Sequence, residues 1–244
     1  MPELEAPERA GPPPTAPLGR RVTPGAFDVP NGRAYAVLAL SSTTVVPPDF
    51  DDPARDQIRA LALQMTPNAA CVNDTRQFVR YHLLGHSNSA LWTLEMTAGP
   101  RARLLQTMAV EPNEAGQSLP ILDTLDWWTA VTPPLLALLE HLGAEQMTAF
   151  MGFNPYPSGD QPVTDINFGP CPRPYRATGP GQIPPWGYQF DTFPLESLDL
   201  ALVEATVDLI EMFNFRWLPD AQAFLLQRVH AQFDGALRDR PPNP

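Results

Sequence analysis

The stretch QFVRYHLLGHSNSALWTLEMTAGPRARLLQTMAV, Gln77 to Val110, decides the fold. Its first run, Gln77 to Leu83, alternates Phe78, Arg80 and His82 with Val79, Tyr81 and Leu83. A period of two is the signature of a strand with one buried face. Ser89 to Met96 and Ala102 to Val110 are two further strand-like runs. His86–Ser87–Asn88 and Ala98–Gly99–Pro100 supply turn chemistry between them. Three such runs joined by short turns predict an antiparallel meander.

Working outward, Ala34 to Leu40 (AYAVLAL) reads as a buried strand. Asp52 followed by Pro53 starts a helix, with an acceptor at the cap and proline in the first turn. Ile58, Leu61, Ala62 and Met65 then recur at helical spacing, so Pro53 to Met65 is an amphipathic helix. Asp49, Asp51, Asp52 and Asp56 crowd its start; carboxylates at the positive end of a helix explain them better than a metal does. Ser118 to Gly143 reads as mostly helical, restarting at Thr132–Pro133 and ending on Gly143. Strands follow at Gln146 to Phe153 and Pro162 to Phe168, the latter with Val163, Asp165 and Asn167 on one face. Gly169 to Gly187 reads as a long proline-rich loop, packed by Tyr175, Trp186 and Tyr188. Leu195 to Phe213 and Pro219 to Arg238 form two C-terminal helices. The expected fold is α+β, a mainly antiparallel sheet with helices packed on it. One domain spans 32–240, preceded by a disordered proline-rich arm over 1–31, whose first thirty residues hold eight prolines.

Bulk properties exclude several functions. The chain has 244 residues, a net charge of −11 and 31 prolines. That charge repels a phosphate backbone, so nucleic acid is an unlikely partner. All 16 basic residues are arginine, the mark of a GC-rich bacterial genome. Without lysine there is no Schiff-base lysine, no P-loop lysine and no lysine general base. Cys71 and Cys171 stand far apart with no CxxC, which argues against a zinc ribbon or a redox dithiol. No secretory signal and no spanning run is visible, so the expected location is the cytoplasm, with no membrane contact.

Candidate chemistry is sparse. His82 and His86 form HLLGH, but Gly85, Ser87 and Asn88 make this a strand end and a turn, not a metal-binding helix face. Glu204, Asp208 and Glu211 share a helix face; with no Glu-x-x-His on a partner helix they read as a solvated acidic surface. No GxSxG is present, and no catalytic residue, metal or cofactor is expected. Polar and small residues gather instead in Phe150 to Pro174 and just beyond it. There Asn154, Tyr156, Ser158, Gln161, Asp165, Asn167, Arg173 and Arg176 are the candidate ligand-binding residues, the two arginines as forks for a carboxylate or phosphate.

Residues 102 to 173 resemble the core of the histidine-triad superfamily, which includes the galactose-1-phosphate uridylyltransferases. A strand (ARLLQTMAVEP), a helix (DTLDWWTAVTPPLLALLEHLG) and a second strand lead to Gln161, Val163, Pro172 and Arg173, in the register of Gln-x-Val-x-His-x-His-x-His-x-x-Pro-Arg. The three histidine positions hold Asp165, Asn167 and Gly169; in the uridylyltransferase register, Tyr156 and Ser158 stand where histidines would be. The resemblance implies an α+β fold and a binding site that has lost the family nucleophile. The leading expectation is a non-catalytic protein that binds a protein partner or small ligand through the 150–190 turn and loop. The alternatives are an enzyme acting on a phosphorylated or nucleotide-like substrate, with His82 or His86 as general base, and a subunit of a larger assembly. Composition leaves the oligomeric state open.

Overall fold

The computed structural model describes residues 19–22, 36–42, 49–84, 90–98, 101–108, 117–144, 147–155, 163–167, 176–178, 184–192, 197–213 and 224–231. The alternating run at its centre forms β4 (Phe78–Leu84), β5 (Ala90–Thr97) and β6 (Arg101–Met108), paired antiparallel as the sequence predicts. They lie inside an eight-stranded sheet with β1 (Gly19–Arg21), β2 (Ala36–Ser42), β3 (Ala70–Asp74), β8 (Met147–Phe153) and β11 (Trp186–Asp191). Its spatial order is β1-β11-β8-β2-β6-β5-β4-β3, with every neighbour antiparallel. A second sheet has the order β10-β9-β7, from Arg176–Thr178, Val163–Asn167 and Gln117–Pro120. The fold is α+β.

The sheet's first face is apolar because the strand period places Val79, Tyr81, Leu83, Trp92, Leu94, Met96, Leu38, Leu40, Ala149 and Met151 on one side. All are buried, in one core shared with the helices. These are α1 (Asp52–Met65), α2 (Ile121–His141), α3 (Leu198–Glu211) and α4 (residues 224–231). Ile58, Leu125, Leu135, Leu202, Leu209 and Leu225 are each 0% exposed. Burial of such a side chain is worth about 1.5–3 kcal/mol, which is why the apolar stripes of these helices override their charged outer faces. Among the described residues, no helix is long and apolar enough to cross a membrane.

Local chemistry sets the helix ends. Asp51, one residue earlier than expected, caps α1 by accepting from the Ala54 amide at 2.9 Å. At the far end of α2, Gly143 has φ +91°; its amide donates to Glu140 and the Ala144 amide to Leu139, both at 2.9 Å. This crossed pair satisfies carbonyls that a helix end leaves orphaned.

Six expectations are corrected. The N-terminal arm does not run unbroken to residue 31, because Gly19–Arg21 pairs with Tyr188–Phe190 as an edge strand. Ser118 to Pro120 is strand, and the helix begins at Ile121. No restart occurs at Thr132: α2 runs through Pro133 and Pro134. The buried residues Val131, Leu135, Leu136 and Leu139 outweigh the lost backbone bonds. On β9 the register slips at Thr164, so Val163 and Ile166, of opposite parity, are both buried. The loop expected to Gly187 ends instead in β11, whose Trp186 and Tyr188 belong to the core. The acidic surface of α3 is not wholly solvated, as described below.

Candidate functional site

The small sheet collects part of the expected site. In β9, Asp165 lies between Ser118 of β7 and Thr178 of β10, and Asn167 lies between Pro120 and Arg176. The Val163 amide donates to the Pro155 carbonyl at 2.9 Å, which ties the turn at Asn154–Pro155 to the start of β9. Asn154 itself is half-buried. Asn154, Asp165, Asn167 and Arg176 are thereby brought onto one short run of backbone and its neighbours. Tyr156, Ser158, Gln161 and Arg173 lie outside the described residues, as does His86. His82 sits in β4 between Ala70 and Thr93. Among the described residues, no group of three His, Cys, Asp or Glu side chains is placed to hold a metal.

Two charged clusters escape the sequence reading. The first lies on the helix face of the large sheet. Arg21 Nε donates to both Asp208 oxygens, at 2.7 and 3.0 Å, and Trp186 Nε1 donates to Asp208 Oδ2 at 2.5 Å. Asp208 thus joins α3 to β1 and β11. The bond to Asp208 raises the Arg21 pKa. Burial, then the nearby carboxylates of Glu204 and Asp208, raise the Tyr188 phenol above its ordinary 10.0. Gly19 is required by close approach: a Cβ there would lie 2.2 Å from Tyr188 Cε1.

The second cluster lies on the opposite face. The pairing register lines up one residue from each strand: Arg20, Gln189, Phe150, Ala39, Arg103, Glu95, Arg80 and Asn73. Glu95 is 2% exposed. Arg80 Nε donates to its Oε1 at 2.8 Å, and Arg103 Nη2 lies 3.3 Å from Oε2. The Arg80 guanidinium sits 5.0 Å from the ring centre of Phe78. Val37 and Leu105, on the same face, form a small apolar cluster separate from the main core. The signal for this row was present in the alternation of β4 to β6; what the sequence lacked was the register that sets Glu95 between the two arginines.

Other charged contacts pin helices. Arg228 of α4 donates to Asp126 of α2, and His230 is bonded to Asp199 of α3. Arg55 bridges Asp52 and Asp74, and this lowers the Asp52 pKa. In comparisons with known proteins the chain matches no family model, no curated protein and no solved structure.

Proposed function

We propose that the chain is a non-catalytic binding protein, engaging a protein partner or a small ligand through the small sheet and the turn that leads into it. The observation that carries this is the β9 register, which sets Asp165 and Asn167 beside Ser118, Thr178 and Arg176. By residue type this register gathers hydrogen-bonding residues and one arginine, a composition suited to recognising a polar or anionic group. The resemblance to the histidine-triad superfamily supports the same reading, because Asp165, Asn167 and Gly169 occupy the positions of its histidines. Binding without the family's nucleotidyl-histidine chemistry is what such a replacement leaves.

A thermal-shift series with nucleotides, sugar phosphates and divalent cations tests the small-ligand form. Binding to the native state raises the melting temperature by linkage. The expected result is a shift with one phosphorylated ligand that Arg173→Ala and Arg176→Ala each abolish while the unliganded melting temperature holds. No shift with any of these probes removes the small-ligand form. A shift that both variants retain removes the assignment of the site.

A further inference from the structure

We propose that the edge of β11, backed by α3, is a strand-accepting groove for an extended segment of another protein carrying Gly-x-Arg, and that β1 fills it as a stand-in held in cis. The groove uses no residue of the small sheet.

The first observation is what the groove reads. Gly19, Arg20 and Arg21 pair antiparallel with Phe190, Gln189 and Tyr188, and the Val22 amide donates to the Gly187 carbonyl at 3.0 Å. Alternate residues of a strand share a face, so Gly19 and Arg21 both turn to the side on which α3 lies. At the first position a Cβ would lie 2.2 Å from Tyr188 Cε1 and 3.1 Å from the Gln189 carbonyl oxygen. The Tyr188 ring is 8% exposed and stacked on Trp186, so it has little room to give way. Two residues on, Asp208 takes the Arg21 guanidinium through both its oxygens, and the Trp186 indole N–H holds that carboxylate in place. Main-chain bonds to a sheet edge, with separate seats for alternate side chains, are the means by which strand-addition sites recognise extended peptides.

The second observation is how loosely the stand-in is held. None of residues 19–22 is buried, and Gly-Arg-Arg brings no apolar side chain to the core. Arg21 is 60% exposed, so its ion pair contributes little. An element with few buried apolar contacts and exposed backbone bonds opens at low free-energy cost. The seat outlasts that opening: Trp186 and Tyr188 belong to the main core, and Asp208 stands on α3, which is anchored by Leu202 and Leu209.

The partner follows from charge. Glu204 lies near Tyr188 and Glu211 near Arg21, so the groove favours a cationic segment. A second copy offers the same Gly-Arg-Arg but brings another body of charge −11, and its segment already has an equal seat of its own. A foreign segment meets one obstacle. The cis segment, separated from β2 by residues 23–35, competes at an effective concentration on the order of millimolar.

The test uses the full chain and a fluorescently labelled peptide copying residues 16–23 (APLGRRVT), read by anisotropy. Gly19→Val sets a branched Cβ against Tyr188 and should expel β1. This variant should bind the peptide at least about tenfold more tightly than wild type, whose own segment competes. Arg21→Gln in the chain loosens β1 without a clash, guards against misfolding of the first variant, and should bind more tightly than wild type as well. On the Gly19→Val chain, peptide copies carrying Arg21→Gln or Gly19→Val should each lose at least about tenfold. The proposal is overturned if neither chain variant binds the peptide better than wild type does. It is also overturned if the altered copies, or a scrambled peptide of the same composition, bind as tightly as the original. Sedimentation of wild type as a dimer that the peptide dissociates would give the groove to a second copy and overturn it too.

Discussion

Asp208 and Glu95 are both carboxylates gripped by arginine, and they sit on opposite faces of one sheet. The Asp208 side chain is 24% exposed, and its arginine, Arg21, is 60% exposed. Glu95 is 2% exposed between two arginines that are each about three-quarters covered. Asp208 ties together groups 187 and 22 positions away in the chain, whereas Glu95 reaches Arg80 across 15 within a single meander. The first therefore closes the edge of the molecule. The second fixes charge within a surface that local pairing has already built. Similar chemistry yields a clasp in one place and a buried ion-paired row within the meander in the other, because solvent and sequence separation differ.

The largest break in this contrast should come from Glu95→Ala. Two guanidiniums, each about three-quarters covered, then lose the carboxylate they share, and the expected loss is about 3–5 kcal/mol, read by urea unfolding. A loss below about 1 kcal/mol would class the row with ordinary surface ion pairs and erase the difference.

Asp208→Ala should cost less, about 2 kcal/mol. The exposed Arg21 contributes little, and most of the loss comes from the Trp186 indole N–H, on a residue 3% exposed, losing its acceptor. The effect should be local as well. The Val22 amide, which donates to the Gly187 carbonyl at 3.0 Å, should exchange its hydrogen faster than the β5 amides do. Unchanged exchange at Val22 would mean that Asp208 does not clasp β1.

Gly143→Ala calibrates both. A Cβ at Gly143 meets nothing within 4 Å, so only its φ of +91° is penalised, at about 1 kcal/mol. Val22 exchange relative to the core should stay as in wild type.

The smallest effect is on pH. Tyr188 has its folded pKa raised, so the stability it contributes is complete below its unfolded value of about 10 and is lost as pH climbs through the folded value. Ultraviolet titration of tyrosine ionisation should show Tyr188 moving down in Asp208→Asn, which removes one of the carboxylates that raise it. Tyr81, pushed up to about 12 by burial and by Cys71, has no contribution from Asp208 and should not move. Movement of both would indicate general loosening.

The meander was legible because Phe78 to Leu83 alternates with period two and turn residues separate it from two further short strand-like runs. β3 was not: all five residues of ACVND are exposed, so no apolar face marks it. β11 hid behind Pro184 and Pro185 and is interrupted by Gly187, a composition that reads as loop until β8 pairs with it. The carboxylates of α3 were visible as one helix face. Helical spacing says which side chains share a face and nothing about what lies opposite, so Arg21 and Trp186 stayed out of reach. For the candidate site, the alternation of β9 placed Asp165 and Asn167 together. Only the pairing with β10 brought Arg176 beside them.

By itself the sequence determined the α+β class, the antiparallel meander, the amphipathic helices and the capping glycine, all of them consequences of local periodicity and backbone chemistry. Tertiary structure alone decided that residues 19–21 join the sheet, that a helix persists through two prolines, that Asp208 is a clasp and that Glu95 lies between two arginines. Those outcomes depend on partners distant in the chain or on a strand register; for Glu95, one residue of slip in β5 would send its side chain to the other face.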